Sequence, residues 1–267
     1  MKYITIVLSL LFITLLTNCK EKNMPSPEWI SIFNGKNLDN WTVKINGHPT
    51  SENFKNTFRV ENGILKVSYS DYEGKFDFGG DKGRAFGHLF YNKPLSKYKL
   101  RLKYRFVGEQ VEEIGSWAIK NSGIMLHSQS PQSMGVNQEF PVSLEAQLLG
   151  GYDLKKSRPT GNICTPGMHV NMKGKLVTQH CIDSNSETIY DESWVDFEVL
   201  VLSDSLIVQY VNGKEVSRCT KPIYGGEYTP DTPEWKAKEG KPVIDGYFSL
   251  QSESHPIEFK NIELMEL

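Results

Sequence analysis

The chain has 267 residues, 39% hydrophobic and 11% aromatic, and its 30 basic side chains face 32 acidic ones for a formal net charge of −2. That balance excludes the basic excess of a dedicated nucleic-acid binder, and the apolar fraction excludes a disordered chain. Such a length accommodates one large all-β domain, which often runs to roughly 200–250 residues.

Met1-Lys2 leads into an apolar run from Ile4 to Leu16, interrupted by Thr5, Ser9 and Thr14. The run falls short of the ~20 residues a spanning helix needs, and its basic start and hydrophobic centre fit an export signal. It stops at Leu16-Thr17-Asn18-Cys19, which resembles a bacterial lipobox, although Asn18 is larger than the usual residue there. The expectation is a lipoprotein signal over 1–18, lipidation at Cys19, a polar tether over 19–28 and one domain over 29–267. An exported protein on the bacterial cell envelope, held by a lipid anchor, follows. An ordinary secreted protein with a stray cysteine is the plainer alternative.

Period-2 alternation, punctuated by Gly, Asn and Pro, dominates the rest of the chain and predicts strands. Phe58–Val60 and Ile64–Val67 flank Asn62-Gly63, a hairpin signal. The segment 77–88 is Gly-rich without the Gly-Lys-Ser/Thr ending of a phosphate loop, so it reads as a rim loop from which Arg84 and His88 reach a ligand. Tyr98–Val107 alternates cleanly, its Lys and Arg residues opposite Leu100, Leu102, Tyr104 and Phe106. Phe197–Leu202 and Leu206–Val211 are strands, with a turn at Asn212-Gly213. Tyr247–Ser252 and Ile257–Leu264 are expected to form the last pair. Many short strands with turn residues between them predict an all-β sandwich or barrel.

Three strands carry an unusual polar row. Met125, His127 and Gln129 share one face of the segment 121–129. Ser143, Glu145 and Gln147 share a face of 143–149, and Ser249, Gln251, Glu253 and His255 alternate near the C-terminus. A half-solvated sheet normally has a polar face, and for one strand alone that account suffices. Solvated faces, however, are usually filled with Lys, Thr, Ser and Glu. His, Gln and Glu donate and accept in fixed directions, so together the rows predict a polar groove on one sheet. His48 and His169 read as loop positions, and the tryptophans as packing residues of which one could stack on a sugar. No three His, Asp or Glu show metal spacing, although His127 and Glu145 could share a divalent metal in space.

Cys164, Cys181 and Cys219 lack the close pairs of a zinc ribbon. In an oxidising compartment one disulfide is plausible. A Cys164–Cys181 bridge is favoured, with His180 held beside it and Cys219 a buried thiol. Its loop would contribute about 3 kcal/mol in the chain-entropy model.

Three segments, in order, resemble the 3-keto-disaccharide hydrolase domain family. Ser31-Ile32-Phe33-Asn34-Gly35-Lys36-Asn37-Leu38-Asp39-Asn40-Trp41 is similar to its opening motif, and Asn121-Ser122-Gly123-Ile124 with Glu145-Ala146-Gln147 to its centre. Gly246-Tyr247-Phe248-Ser249-Leu250-Gln251 with His255-Pro256-Ile257-Glu258-Phe259 is similar to its close. The resemblance implies a concanavalin A-like jelly-roll sandwich and cleavage of glycosides already oxidised at C3. A 3-keto group acidifies the C2 proton, so a base can remove it, the aglycone leaves from C1, and water adds back. On that mechanism Glu145 is base or metal ligand, and His127 and Gln129 donate to the carbonyl oxygen or leaving group. Gln147, Gln251 and Glu253 position hydroxyls, His255 is an acid, and Arg84, His88 and His180 close the groove. Two alternatives stay open: a non-catalytic carbohydrate-binding envelope protein, and a glycosidase for unoxidised glucans using Glu145 with Glu253.

Overall fold

The computed structural model describes residues 27–80 and 83–267. The expected signal segment, Cys19 and most of the tether lie outside the described residues. Within them the chain forms β1 (Ile30–Ser31), β2 (Trp41–Ile45), β3 (Phe58–Glu61), β4 (Ile64–Val67), β5 (Gly87–Tyr91), β6 (Lys97–Phe106), β7 (Asn121–Ser128), β8 (Leu144–Leu149), β9 (Asn162–Cys164), β10 (Met168–Met172) and β11 (Lys175–Val177). There follow β12 (Cys181–Ile182), β13 (Val195–Leu202), β14 (Leu206–Val211), β15 (Lys214–Tyr224), the short helix α1 (Pro233–Lys236), β16 (Tyr247–Ser252) and β17 (Ile257–Glu266).

Two antiparallel sheets pack face to face. The ten-stranded sheet runs β11-β10-β15-β14-β13-β6-β17-β4-β3, with β1 also on β17. The seven-stranded sheet runs β12-β9-β8-β7-β16-β5-β2. The architecture is a concanavalin A-like jelly-roll sandwich.

Local chemistry explains the strands. Asn62 and Gly63 take φ of 53° and 77°, and Asn212 and Gly213 take 49° and 76°. These are the left-handed values a two-residue hairpin needs, and Asn-Gly adopts them cheaply. In β6 every second residue from Tyr98 to Phe106 is buried. These side chains meet Leu89, Ile124, Ala146 and Leu250 of the other sheet in one core. Each such aliphatic side chain contributes about 1.5–3 kcal/mol on burial, and truncating one costs about 2–5 kcal/mol.

The expected pairing of the last two strands does not occur. β16 lies between β7 and β5, and β17 between β6 and β4. The segment 253–256 instead carries the chain from one sheet to the other. Phe248 and Leu250 of β16 and Ile257 and Phe259 of β17 then enter the core from opposite sides. Ser254, at φ 76°, makes the reversal.

Candidate functional site

Register places the polar rows. Glu145 of β8 lies opposite Met125 of β7 on one side and Cys164 of β9 on the other. Gln147 lies opposite Gly123 and Asn162. Gln251 of β16 lies opposite His88, which lies opposite Lys44. Directly opposed residues share a face, so all of these belong to the outer face of the seven-stranded sheet.

On that face a cleft of about 420 Å³ is lined by Asn121, Glu145, Gln147, Leu149 and Glu253 from the strands and their ends. Loops supply its walls. Rings line them in sequence, with centroid separations of 6.3 Å from Trp117 to Phe86, 4.9 Å from Phe86 to Phe140, 5.4 Å from Phe140 to Tyr228 and 5.1 Å from Tyr228 to His180. Trp117 and Tyr228 are 45% and 50% exposed, so both present a free aromatic surface at the mouth. Arg84 lies over the Trp117 ring at 5.7 Å.

Glu145 and Glu253 are only 6% and 5% exposed. Among the described residues no salt bridge neutralises either. Burial pushes the Glu145 carboxyl up from 4.5 to about 8. Burial and the neighbouring Glu145 charge push Glu253 well above the ordinary carboxylate range. The pair therefore holds protons through neutral pH and titrates as a unit. The Arg158 charge opposes the shift of Glu253, but its guanidinium is committed elsewhere, donating to the carbonyls of Trp117, Ile119, Lys120 and Gly150.

Gly123 makes room for this arrangement. A Cβ there would come within 2.8 Å of Glu145 Cδ and closer still to Oε1. The carboxyl thus leans across the bare backbone of β7, toward β16, and the Asn-Ser-Gly-Ile motif acquires a physical meaning.

Other predicted residues go elsewhere. His127 takes φ 48° at the bulge where β7 meets β16. Its side chain leaves the outer face, and Nε2 lies 3.0 Å from the Ser203 carbonyl. Gln129 holds the following loop, its Oε1 accepting from Val142 N at 2.7 Å and Gln138 Nε2 at 2.8 Å. His255, after the reversal at Ser254, packs edge-on against Phe106 at 5.7 Å. Burial lowers its imidazole to about 4, so it is neutral. His88 and Gln251 share the sheet floor, buried beside the cleft rather than lining it. Burial and the Lys44 charge lower His88 to about 3. Glu145, Gln147, Glu253, Arg84 and His180 do line one cleft.

Cys164 and Cys181 are joined in a disulfide that forms part of the cleft wall, while Cys219 is a buried thiol. Among the described residues no three His, Cys, Asp or Glu are placed to hold a metal ion. The oxygens nearest to such a role are the two carboxyls and Asn121 Oδ1, which is buried without a partner.

Sequence reasoning did not single out Asn121, Trp117, Phe140 or Tyr228 as site residues. Asn121 was legible, since it shares the parity of Gly123 and Met125. The aromatic rim comes from loops with no periodicity to read.

Residues 28–265 match the model of a family described as the 3-keto-alpha-glucoside-1,2-lyase-like domain. No curated protein matches the chain. Two crystal structures from Parabacteroides distasonis ATCC 8503, each described as a "putative glycosyl hydrolase", share its fold. One is 15% identical with a TM-score of 0.53, covering 90% of this chain and 100% of that one. The other is 16% identical with a TM-score of 0.50, covering 90% of this chain and 94% of that one.

Proposed function

We propose that this chain, which belongs to the 3-keto-alpha-glucoside-1,2-lyase-like domain family, cleaves glycosides whose sugar carries a ketone at C3. The observation that carries the reading is the proton-holding pair Glu145 and Glu253 beneath an aromatic rim. Of the two, Glu145 ionises more readily and is the base. Its carboxylate takes the C2 proton, which the neighbouring ketone has acidified. The electron pair forms the C1–C2 double bond, the C1–O bond breaks, and the Glu253 carboxyl gives its proton to the departing oxygen. In the second half Glu253 takes a proton from water as the oxygen adds to C1, and Glu145 returns its proton to C2. Atoms and charge balance, and the net change is hydrolysis. Asn121 and Gln147 are the neutral groups beside the carboxyls that can meet the C3 oxygen as charge grows there. A divalent ion at that oxygen would take its ligands from the two carboxyls and Asn121.

The family description and the designation of the Parabacteroides neighbours support action on glycosides. The disulfide and the N-terminal segment support a place outside the cytoplasm, on a lipid anchor at Cys19.

The exposed faces of Trp117 and Tyr228 favour one second reading, a carbohydrate-binding module without turnover, since sugars stack on such faces. One experiment separates these possibilities. The purified protein is incubated with a 3-keto-glucoside and with the unoxidised glucoside, each with and without chelator. Cleavage of the keto substrate alone is expected. Loss of it with chelator would add a metal at C3. Cleavage of the plain glucoside would replace the mechanism by a two-carboxylate glycosidase, and binding without cleavage would replace it by the binding module.

A further inference from the structure

We propose that the Cys164–Cys181 disulfide is a working part of the cleft, a positioning device that fixes His180 against a hydroxyl of the bound sugar, so that substrate affinity depends on the oxidised form. The inference rests on the reading of this cleft as a sugar site.

Topology gives the disulfide its leverage. The chain leaves the seven-stranded sheet at Cys164 and crosses to the other sheet, where it forms β10 and β11. It returns at His180, and the bridge closes this excursion between cysteines 17 positions apart in sequence. The return strand β12 has two residues and, among the described residues, pairs only with β9. An edge strand that short is weakly held by its ladder. Apart from the pairing, the backbone tie at His180 is its carbonyl, which accepts from Thr165 N at 2.9 Å and Thr165 Oγ1 at 3.3 Å.

The same bridge stands next to the chemistry. Cys181 lies opposite Cys164, and Cys164 lies opposite Glu145, so three adjacent strands carry the line from disulfide to base. Both cysteines, His180, Glu145 and Glu253 line one cleft. The His180 ring leans on Tyr228 at 5.1 Å, and its Nδ1 is buried without a partner. Burial lowers the imidazole below its ordinary 6.5, so it meets a sugar as a neutral ring with one donor and one acceptor. A disulfide needed for stability alone could sit on any loop. This one adjoins His180, the one histidine that lines the cleft among the described residues.

The test is a thermodynamic cycle on the purified protein at neutral pH. Its arms are wild type and His180→Ala, each oxidised and each reduced with a phosphine, with a Cys164→Ala/Cys181→Ala variant as the reductant-free control. Cys219, buried and unpaired, stays a thiol in every arm. KM and kcat are measured on a 3-keto-glucoside. The Kd for the same compound is measured by calorimetry in a Glu145→Gln background, where turnover is slow on the time of the titration. Loss of one hydrogen bond predicts a rise of about tenfold in KM and Kd on reduction, with kcat within about twofold. Oxidised His180→Ala should show the same rise without a fall in melting temperature. Reduced His180→Ala should show no further rise, because the two changes remove one interaction. His180→Gln should recover part of the affinity. Additive effects, or a reduction that lowers melting temperature and leaves KM and Kd alone, would overturn the proposal. If Kd follows the predicted pattern while no cleavage occurs, the reaction falls and the disulfide's role stands. If cleavage is unaffected by reduction, the reverse holds. Absence of both binding and cleavage sinks both.

Discussion

The two outer faces of this sandwich treat acidic side chains in opposite ways. On the ten-stranded sheet the carboxylates are laddered with cations: Lys103 to Asp196 at 2.5 Å, Arg101 to Glu263 at 2.7 Å, and Arg105 to Glu258 at 2.7 Å. Lys260 and Arg105 also both lie over one indole, Trp194, at 3.9 and 4.6 Å. That face holds a hollow of about 720 Å³, yet the Lys, Arg, Asp and Glu side chains that line it are paired with one another. On the seven-stranded sheet Glu145 and Glu253 are as buried as Glu258 but form no ion pair among the described residues. Burying an unpaired carboxyl costs free energy unless it keeps its proton. A roomy hollow is therefore no guide to chemistry, and uncompensated charge points to the face where proton transfer is available.

Removing the proton-holding group breaks the comparison most sharply. Glu145→Gln should lower kcat by about 10²–10⁴-fold, the usual loss of a general base. It should also stabilise the protein at high pH. The folded state raises this carboxyl from 4.5 to about 8, so it holds the proton more tightly than the unfolded chain does. The resulting stability is complete below pH 4.5 and is lost as pH rises toward 8. The glutamine variant escapes that loss, and at pH 9 it should melt more than about 4 °C above wild type, with little difference at pH 4. A melting curve that is lower at both pH values would contradict the burial argument.

The pH dependence of the reaction comes next. Turnover should climb through about pH 8 as Glu145 ionises. It should decline at higher pH as Glu253, raised further, gives up its proton. Glu253→Gln should lower the maximum and abolish the high-pH decline. A rate already maximal at pH 6 would remove Glu145 from the role of base.

The site was legible where chain parity holds and illegible where one residue breaks it. Glu145, Gln147 and Gln251 could be placed on one face because β8 and β16 alternate through those positions, and Glu253, one residue past the end of β16, still lines the cleft. His127 and His255 were put on the same face by the same count. A positive φ at His127 and at Ser254 turns the chain, and neither residue announces it as glycine would. The hairpins at Asn62-Gly63 and Asn212-Gly213 were readable because the turn chemistry is local. The parting of β16 and β17 into different sheets was not, because adjacency in sequence carries no information about which sheet a strand joins. Trp117, Phe140 and Tyr228 meet only through long-range packing of three loops, which no periodicity reports.

Two glycines extend the contrast to smaller effects. At Gly123 an added methyl would overlap the Glu145 carboxyl. Gly123→Ala should displace that group and cost about 10²-fold in kcat, the scale for a misplacement of ~1 Å, with the fold retained. Gly213 turns β14 into β15 with open space around it but a φ of +76°. Gly213→Ala should cost about 1 kcal/mol of stability through backbone strain and leave kcat unchanged. Comparable kcat losses in the two variants would mean that the glycines act through stability rather than through the carboxyl.

The smallest expected effect lies in the ion-pair ladder. Lys103 and Asp196 are 35% and 59% exposed, and such a pair contributes about 0–1 kcal/mol because water and salt screen it. Lys103→Ala should therefore shift the denaturation midpoint slightly, less still at high salt, and leave KM and kcat untouched. Its value is as a calibration: the ladder spreads charge over a surface where each pair matters little, whereas two unpaired carboxyls on the opposite face should govern rate, pH profile and stability together. A Lys103→Ala variant that changed turnover would show that the two faces communicate through the core, and the division between structural and chemical carboxylates would have to be redrawn.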